Sequence, residues 1–136
     1  MGQQQLLLII LGVIVVGIAV AVGITMFQDN AVSANRDAVT NDLVNLAARA
    51  QQHYRRPSAL GGGQGAFNSS QGGTAIGNIT QLTSKPINAN GTYTLGTVSA
   101  TSVVITGTGT EKGNDGSLIE VVMTVFSDST YVAFTN

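Results

Sequence analysis

Residues Leu6 to Phe27 form an almost unbroken apolar run, and the first charged side chain in the chain is Asp29. With a rise of 1.5 Å per residue, a helix of roughly 22 residues spans about 33 Å, the thickness of a bilayer's hydrocarbon core. Such a helix needs lipid or partner helices around it, and the rest of the chain has to be read on that condition. A cleaved secretory signal opens with Lys or Arg, carries a shorter apolar stretch and ends at small residues. Here the run is preceded by Met-Gly-Gln-Gln-Gln, so it is expected to be retained. No Lys or Arg precedes it, which leaves orientation to the bulk of the chain. Gln3, Gln4 and Gln5 are expected to stay on one side while everything after Phe27 is translocated.

Three glycines, Gly12, Gly17 and Gly23, interrupt the run. Gly17 with Ala21, and Ala19 with Gly23, make two small-xxx-small pairs, the spacing that lets helix backbones approach closely. Glycine is also common in ordinary membrane anchors. Helix packing is the preferred reading, because Val13, Ile14, Val15, Val16, Ile18, Val20 and Val22 are β-branched and suit a helix only where packing supports them.

Beyond Phe27 the pattern turns amphipathic: Val32, Val39, Leu43, Leu46, Ala50 and Tyr54 mark one helical face. Arg36, Asp37, Asn41, Asp42, Asn45, Arg49 and Gln52 fall between them, as on a solvated face. Pro57 disfavours the α conformation for Arg56, which places the helix end there. One helix over about residues 3–56 results, close to 80 Å long and far beyond the usual ~10 to 14 residues of a globular helix.

The second half is different in kind. Residues 57–90 carry Gly61-Gly62-Gly63, Gly65, Gly72-Gly73 and Gly77 among polar residues, with Leu60, Phe67, Ile76, Ile79 and Leu82 as the few apolar anchors. They read as a long connecting loop. After Gly91, the stretches 92–99, 102–108, 117–126 and 130–134 are rich in Val, Ile, Thr and Tyr with turn residues between them, which predicts four antiparallel strands in a meander. Tyr93, Leu95, Val98, Leu118, Val121 or Val122, Val125, Tyr131 and Phe134 are expected to face inward, onto Val39, Leu43, Leu46 and Ala50. The fold class is α+β, divided as an apolar helix (1–28), its amphipathic continuation (29–56), the loop (57–90) and a β domain (91–136).

Composition narrows the function classes. A chain of 136 residues with 43% hydrophobic and 10% charged residues has one folded unit at most. The net charge is -1 and every arginine lies between Arg36 and Arg56, so no basic stripe for nucleic acid is evident. There is no cysteine, hence no disulfide or thiolate site, and an exported domain would rely on packing alone. The glycine run lacks the Gly-Lys-Ser/Thr of a phosphate-binding loop.

Glu111, Asn114 and Asp115 supply too few carboxylates for a calcium loop and read as a hairpin turn. His53, with no clear acid partner, reads as a surface helix residue. No catalytic residue, cofactor or metal site is expected. Asn68, Asn78 and Asn90 each begin an Asn-x-Ser/Thr triplet and are candidate glycosylation acceptors.

The apolar helix running into an amphipathic half that ends in LAARAQQHYRRP resembles the type IV pilins and their pseudopilin relatives. The resemblance covers about residues 1–57. It implies processing by a prepilin peptidase, a methylated N-terminus, export by pilus assembly machinery, and apolar helices bundled at a filament axis beneath a sheath of β domains. With Met1 as the first mature residue, Gln5 stands where the family usually keeps a glutamate. A glutamine can accept a hydrogen bond from a neighbour's amino terminus without the charge-assisted part. The family's usual proline late in the apolar segment is replaced by Val22-Gly23-Ile24.

Two function classes follow. The first is the major structural subunit of a homopolymer, held in the inner membrane before assembly and then exposed as a cell-surface filament; a pseudopilin of a secretion system is its variant. The second is a membrane-anchored monomeric binding module. An enzyme has no residues to support it.

Overall fold

The computed structural model describes residues 2–136; Met1, and with it the reading of Met1 as the mature N-terminus, lies outside them. Helix α1 runs unbroken from Gly2 to Arg55, 54 residues, beginning and ending one residue earlier than expected. Its length by helical rise is about 81 Å. The stop is where the Arg56-Pro57 pair demands it. The last carbonyls, orphaned in any helix, are taken up by the glycine-rich segment: the Gly63 N–H donates to the His53 carbonyl at 2.8 Å and the Gly65 N–H to the Tyr54 carbonyl at 2.8 Å.

Four strands follow as read from the sequence: β1 (Gly91–Val98), β2 (Ser102–Lys112), β3 (Leu118–Phe126) and β4 (Thr130–Phe134). They form one antiparallel meander in the order β1-β2-β3-β4. Alternation is clean in β2 and β3, where Val103, Ile105, Ile119, Val121, Met123 and Val125 are buried against the outer half of α1. Val39, Leu43, Leu46 and Ala50 meet them as expected, joined by Ala47.

The helix lies closest to the sheet over β2. Gly107 pairs with Tyr93 on one side and Val121 on the other. A methyl group at Gly107 would come within 2.7 Å of Val39 Cγ1, and one at Gly109 would run into Asn35 Oδ1 and Ile119. The Thr-Gly-Thr-Gly-Thr stretch of β2 is therefore a lane of bare backbone on its inner face, made to take a helix at close range.

Three of the expected core residues fall elsewhere. Leu118 and Tyr131 are exposed because each is one residue out of phase: Ile119, in phase with Val121, Met123 and Val125, is buried instead, and Tyr131 pairs with Thr124 on the outer face. Phe134 does share the inner face with its partner Val121. On the edge strand its ring nevertheless stays exposed, with the Arg36 guanidinium 5.8 Å from the ring centroid. Leu95 and Val98 are half-buried rims of the core.

The segment 57–90 is packed. Three short 3-10 turns, Ser58–Leu60, Ser69–Gln71 and Ile79–Gln81, punctuate it. Phe67, Ile76, Ile79 and Leu82 are buried, while Leu60 is exposed. Phe67 stacks on Tyr54 with centroids 4.9 Å apart. β2 runs past the expected residue 108 to Lys112 and takes in Glu111, so the β2–β3 hairpin turn is made by residues 113–117, closed by the Gly113 N–H to the Ser117 carbonyl and by Gly116 at φ 81°.

Candidate assembly surface

Sequence and packing divide α1 into two surfaces. From residue 31 to 55 one side is covered by the sheet; from residue 2 to 30 every residue is exposed. Leu8, Ile9, Ile10 and Leu11, which point to successive sides of the helix, are between 54 and 68% accessible, so no side of the apolar segment is sheltered. By length and composition this helix can cross a membrane, and none of its most apolar stretch is buried within the fold. The one hydroxyl in the run, Thr25, donates to the Val22 carbonyl at 2.9 Å, so it asks nothing of its surroundings. Polar groups begin at Gln28 and Asp29.

The continuous helix fixes how the small residues are arrayed, at about 100° of rotation per residue. Gln5, Gly12, Ala19 and Gly23 fall within about 40° of one another on one face. Gly17 and Ala21 lie about 140° and 180° from Gly12, on the opposite face. The two small-xxx-small pairs overlap in sequence and are opposed in space. An added methyl at Gly12, Gly17 or Gly23 has nothing within 4 Å. At Gly23 the missing side chain leaves a shallow apolar notch between Val20, Ile24 and Phe27.

The head has its own polar anchor, which sequence reasoning missed. Asp42, read as part of a solvated face, accepts three hydrogen bonds on Oδ2: from the Tyr93 hydroxyl at 2.6 Å, from Asn88 Nδ2 at 2.9 Å and from Asn90 Nδ2 at 2.9 Å. One carboxylate thus ties the helix to β1 and to the segment before it. Burial works to raise the Asp42 pKa, but the bonds from Tyr93, Asn90 and Asn88 outweigh it and hold it below the ordinary 3.8. Burial, and then the hydrogen bond and charge of Asp42, push the Tyr93 phenol well above its ordinary 10.0. Nothing in the spacing of Asp42 and Tyr93, separated by 51 positions, announces the contact.

A group whose folded pKa is depressed adds stability above its unfolded pKa and loses it as pH falls through the folded value. Asp42→Asn is therefore expected to lower head stability by about 1–2 kcal/mol at neutral pH. Chemical denaturation should show that gap closing as the pH falls below the ordinary 3.8 and wild-type Asp42 itself becomes protonated.

The three Asn-x-Ser/Thr asparagines differ in setting. Asn68 and Asn78 cap 3-10 turns through their side-chain oxygens, accepting from Ser70 N and Thr80 N. Asn90 spends its amide on Asp42. His53 Nε2 sits 2.7 Å from the Thr74 carbonyl, binding the glycine segment to the helix. The chain matches no protein-family model, no curated protein and no solved structure.

Proposed function

We propose that the protein is the structural subunit of a type IV pilus-like filament. Before assembly its apolar helix rests in the membrane; on export identical helices pack at the fibre axis and the β heads form the outer layer. The observation that carries this reading is the apolar segment of α1, exposed on all sides and uncovered by the head. Outside a bilayer such a surface must be covered by other apolar surface.

The arrangement of small residues favours a polymer over a pair. A helix with one close-approach face forms a closed dimer, whereas two opposed faces let each copy hold two neighbours and leave a further face free. Gln5 lies on the same face as Gly12 and Ala19. A polar side chain there would be placed to accept a hydrogen bond from a neighbouring chain. The partners are identical subunits, the membrane, and the assembly machinery with its prepilin peptidase.

The test is negative-stain microscopy and sedimentation of surface material sheared from cells making the full chain. Long thin fibres that contain this chain are expected. Recovery of the chain only in membranes, as a monomer, would instead identify an anchored binding module.

A further inference from the structure

The topology sorts the charges of the head by end. Where the helix leaves the apolar run, the β2–β3 turn and the end of β4 gather around Asn35 and Arg36: Asn35 Oδ1 accepts from Thr110 N, and Arg36 donates to the Asn136 carbonyl at 2.6 Å. This near end holds the acids Asp29, Asp37, Glu111, Asp115 and Glu120. Only Arg36 and Lys112 oppose them, a net of -3.

The far end, where the helix stops, has the opposite sign. Arg49, Arg55 and Arg56 lie in the last two turns or just past them, and Lys85 borders the same groove as Arg49. The β3–β4 turn, held there by Arg55 on the Ser127 carbonyl, adds the acid Asp128, and Asp42 lines the groove with Arg49 and Lys85, for a net of +2. Apart from Arg36, Asp42 and Glu120, the charged residues of both ends are exposed. The far-end arginines that bond within the chain use backbone carbonyls: Arg49 on Leu82 and Arg55 on Ser127. Their charge is left without a carboxylate counterpart. Cations near a helix C-terminus do complement its dipole, but that accounts for neither Lys85 nor the acids at the other end.

We infer that the far, basic end of one head docks on the near, acidic end of another copy, stacking heads along the fibre with Arg55 and Arg56 facing Asp29 and Glu111. This rests on the polymer reading above and specifies its head-to-head contact. Helices leaving one membrane run parallel, so a copy shifted outward along the axis brings opposite ends together. The shift is set by the helix between Asp29 and Arg55, about 39 Å. Like ends never meet in a parallel stack, and the opposite signs fix both direction and register.

The experiment measures pelletable fibre mass from the full chain at about 0.1 M salt, where the Debye length of about 10 Å leaves close pairs unscreened. Arg55→Glu with Arg56→Glu should cut fibre mass at least tenfold. Asp29→Lys with Glu111→Lys, at the opposite end, should do the same. All four substitutions in one chain restore complementarity and should bring the mass back to within about twofold of wild type. Head melting, followed in parallel, should stay unchanged in every variant that carries the argument. Wild-type fibre yield from either double variant, or no recovery in the quadruple variant, overturns the pairing while leaving the polymer reading intact. A wild-type chain that gives no fibre overturns both.

Discussion

Leu43→Asp is expected to destabilise the head by about 3–5 kcal/mol, enough to leave much of it unfolded. Leu43 is fully buried, 0% exposed, in the cluster that joins α1 to β1, β2 and β3. A carboxylate there has no hydrogen-bond donor assigned to it and displaces apolar contact with the sheet, so it adds a desolvation cost to a packing loss. The neighbouring residue provides the control. Val44 is 51% exposed on the other side of the same turn, and Val44→Asp should change stability by no more than about 0.5 kcal/mol. Thermal melting of the full chain in detergent, followed by near-ultraviolet circular dichroism of Tyr93 and Tyr54, separates the two. Equal melting of both variants would mean that the helix and sheet do not share a core.

The second large effect is on assembly. Gly17→Leu together with Ala21→Leu should reduce fibre yield at least tenfold while membrane insertion is kept, because leucine adds bulk and apolarity at once. Within the subunit Gly17 has open space around it, so a loss of fibres would come from contacts between copies. The opposed face gives an independent variant, Gly12→Leu with Gly23→Leu. If the helix holds neighbours on both sides, each pair alone is sufficient to block growth. Normal fibre mass from either pair, with the protein still in the membrane fraction before assembly, would remove close helix approach from the account.

How much could be read from the residues alone depends on the range of the interaction. The helix and the four strands follow local signals: the apolar run, the 3.6-residue stripe from Val39 to Ala50, Pro57, and the alternation in β2 and β3. Strand phase was harder. Leu118 and Tyr131 look like core residues by type, yet a strand's period of two turns a one-residue choice into the opposite face, and Ile119 and Val132 are the residues that turn inward.

The glycine-rich segment shows a different gap. Its glycines look like flexibility in sequence. In the fold Gly62, Gly63 and Gly73 have neighbouring backbone where a side chain would begin, against Arg56, Ala66 and each other. They are there for close backbone packing over the helix end, a need that only the tertiary structure reveals. The Asp42 hub is similar, since a lone acid on an amphipathic helix carries no mark of the Tyr93 hydroxyl that reaches it. For the assembly surface, the small residues of α1 were legible one by one, and their opposed placement followed once the helix was continuous through Gly12, Gly17 and Gly23.

The central claim is that copies of the apolar helix cover one another. A density map of sheared fibres at a resolution that separates helices tests it most directly. The account predicts an axial bundle of parallel helices built from residues 6–27, with the meander β1–β4 outermost and the glycine-rich segment 57–77 on the outer layer. A map with the β heads at the axis and the apolar helices on the periphery would contradict it.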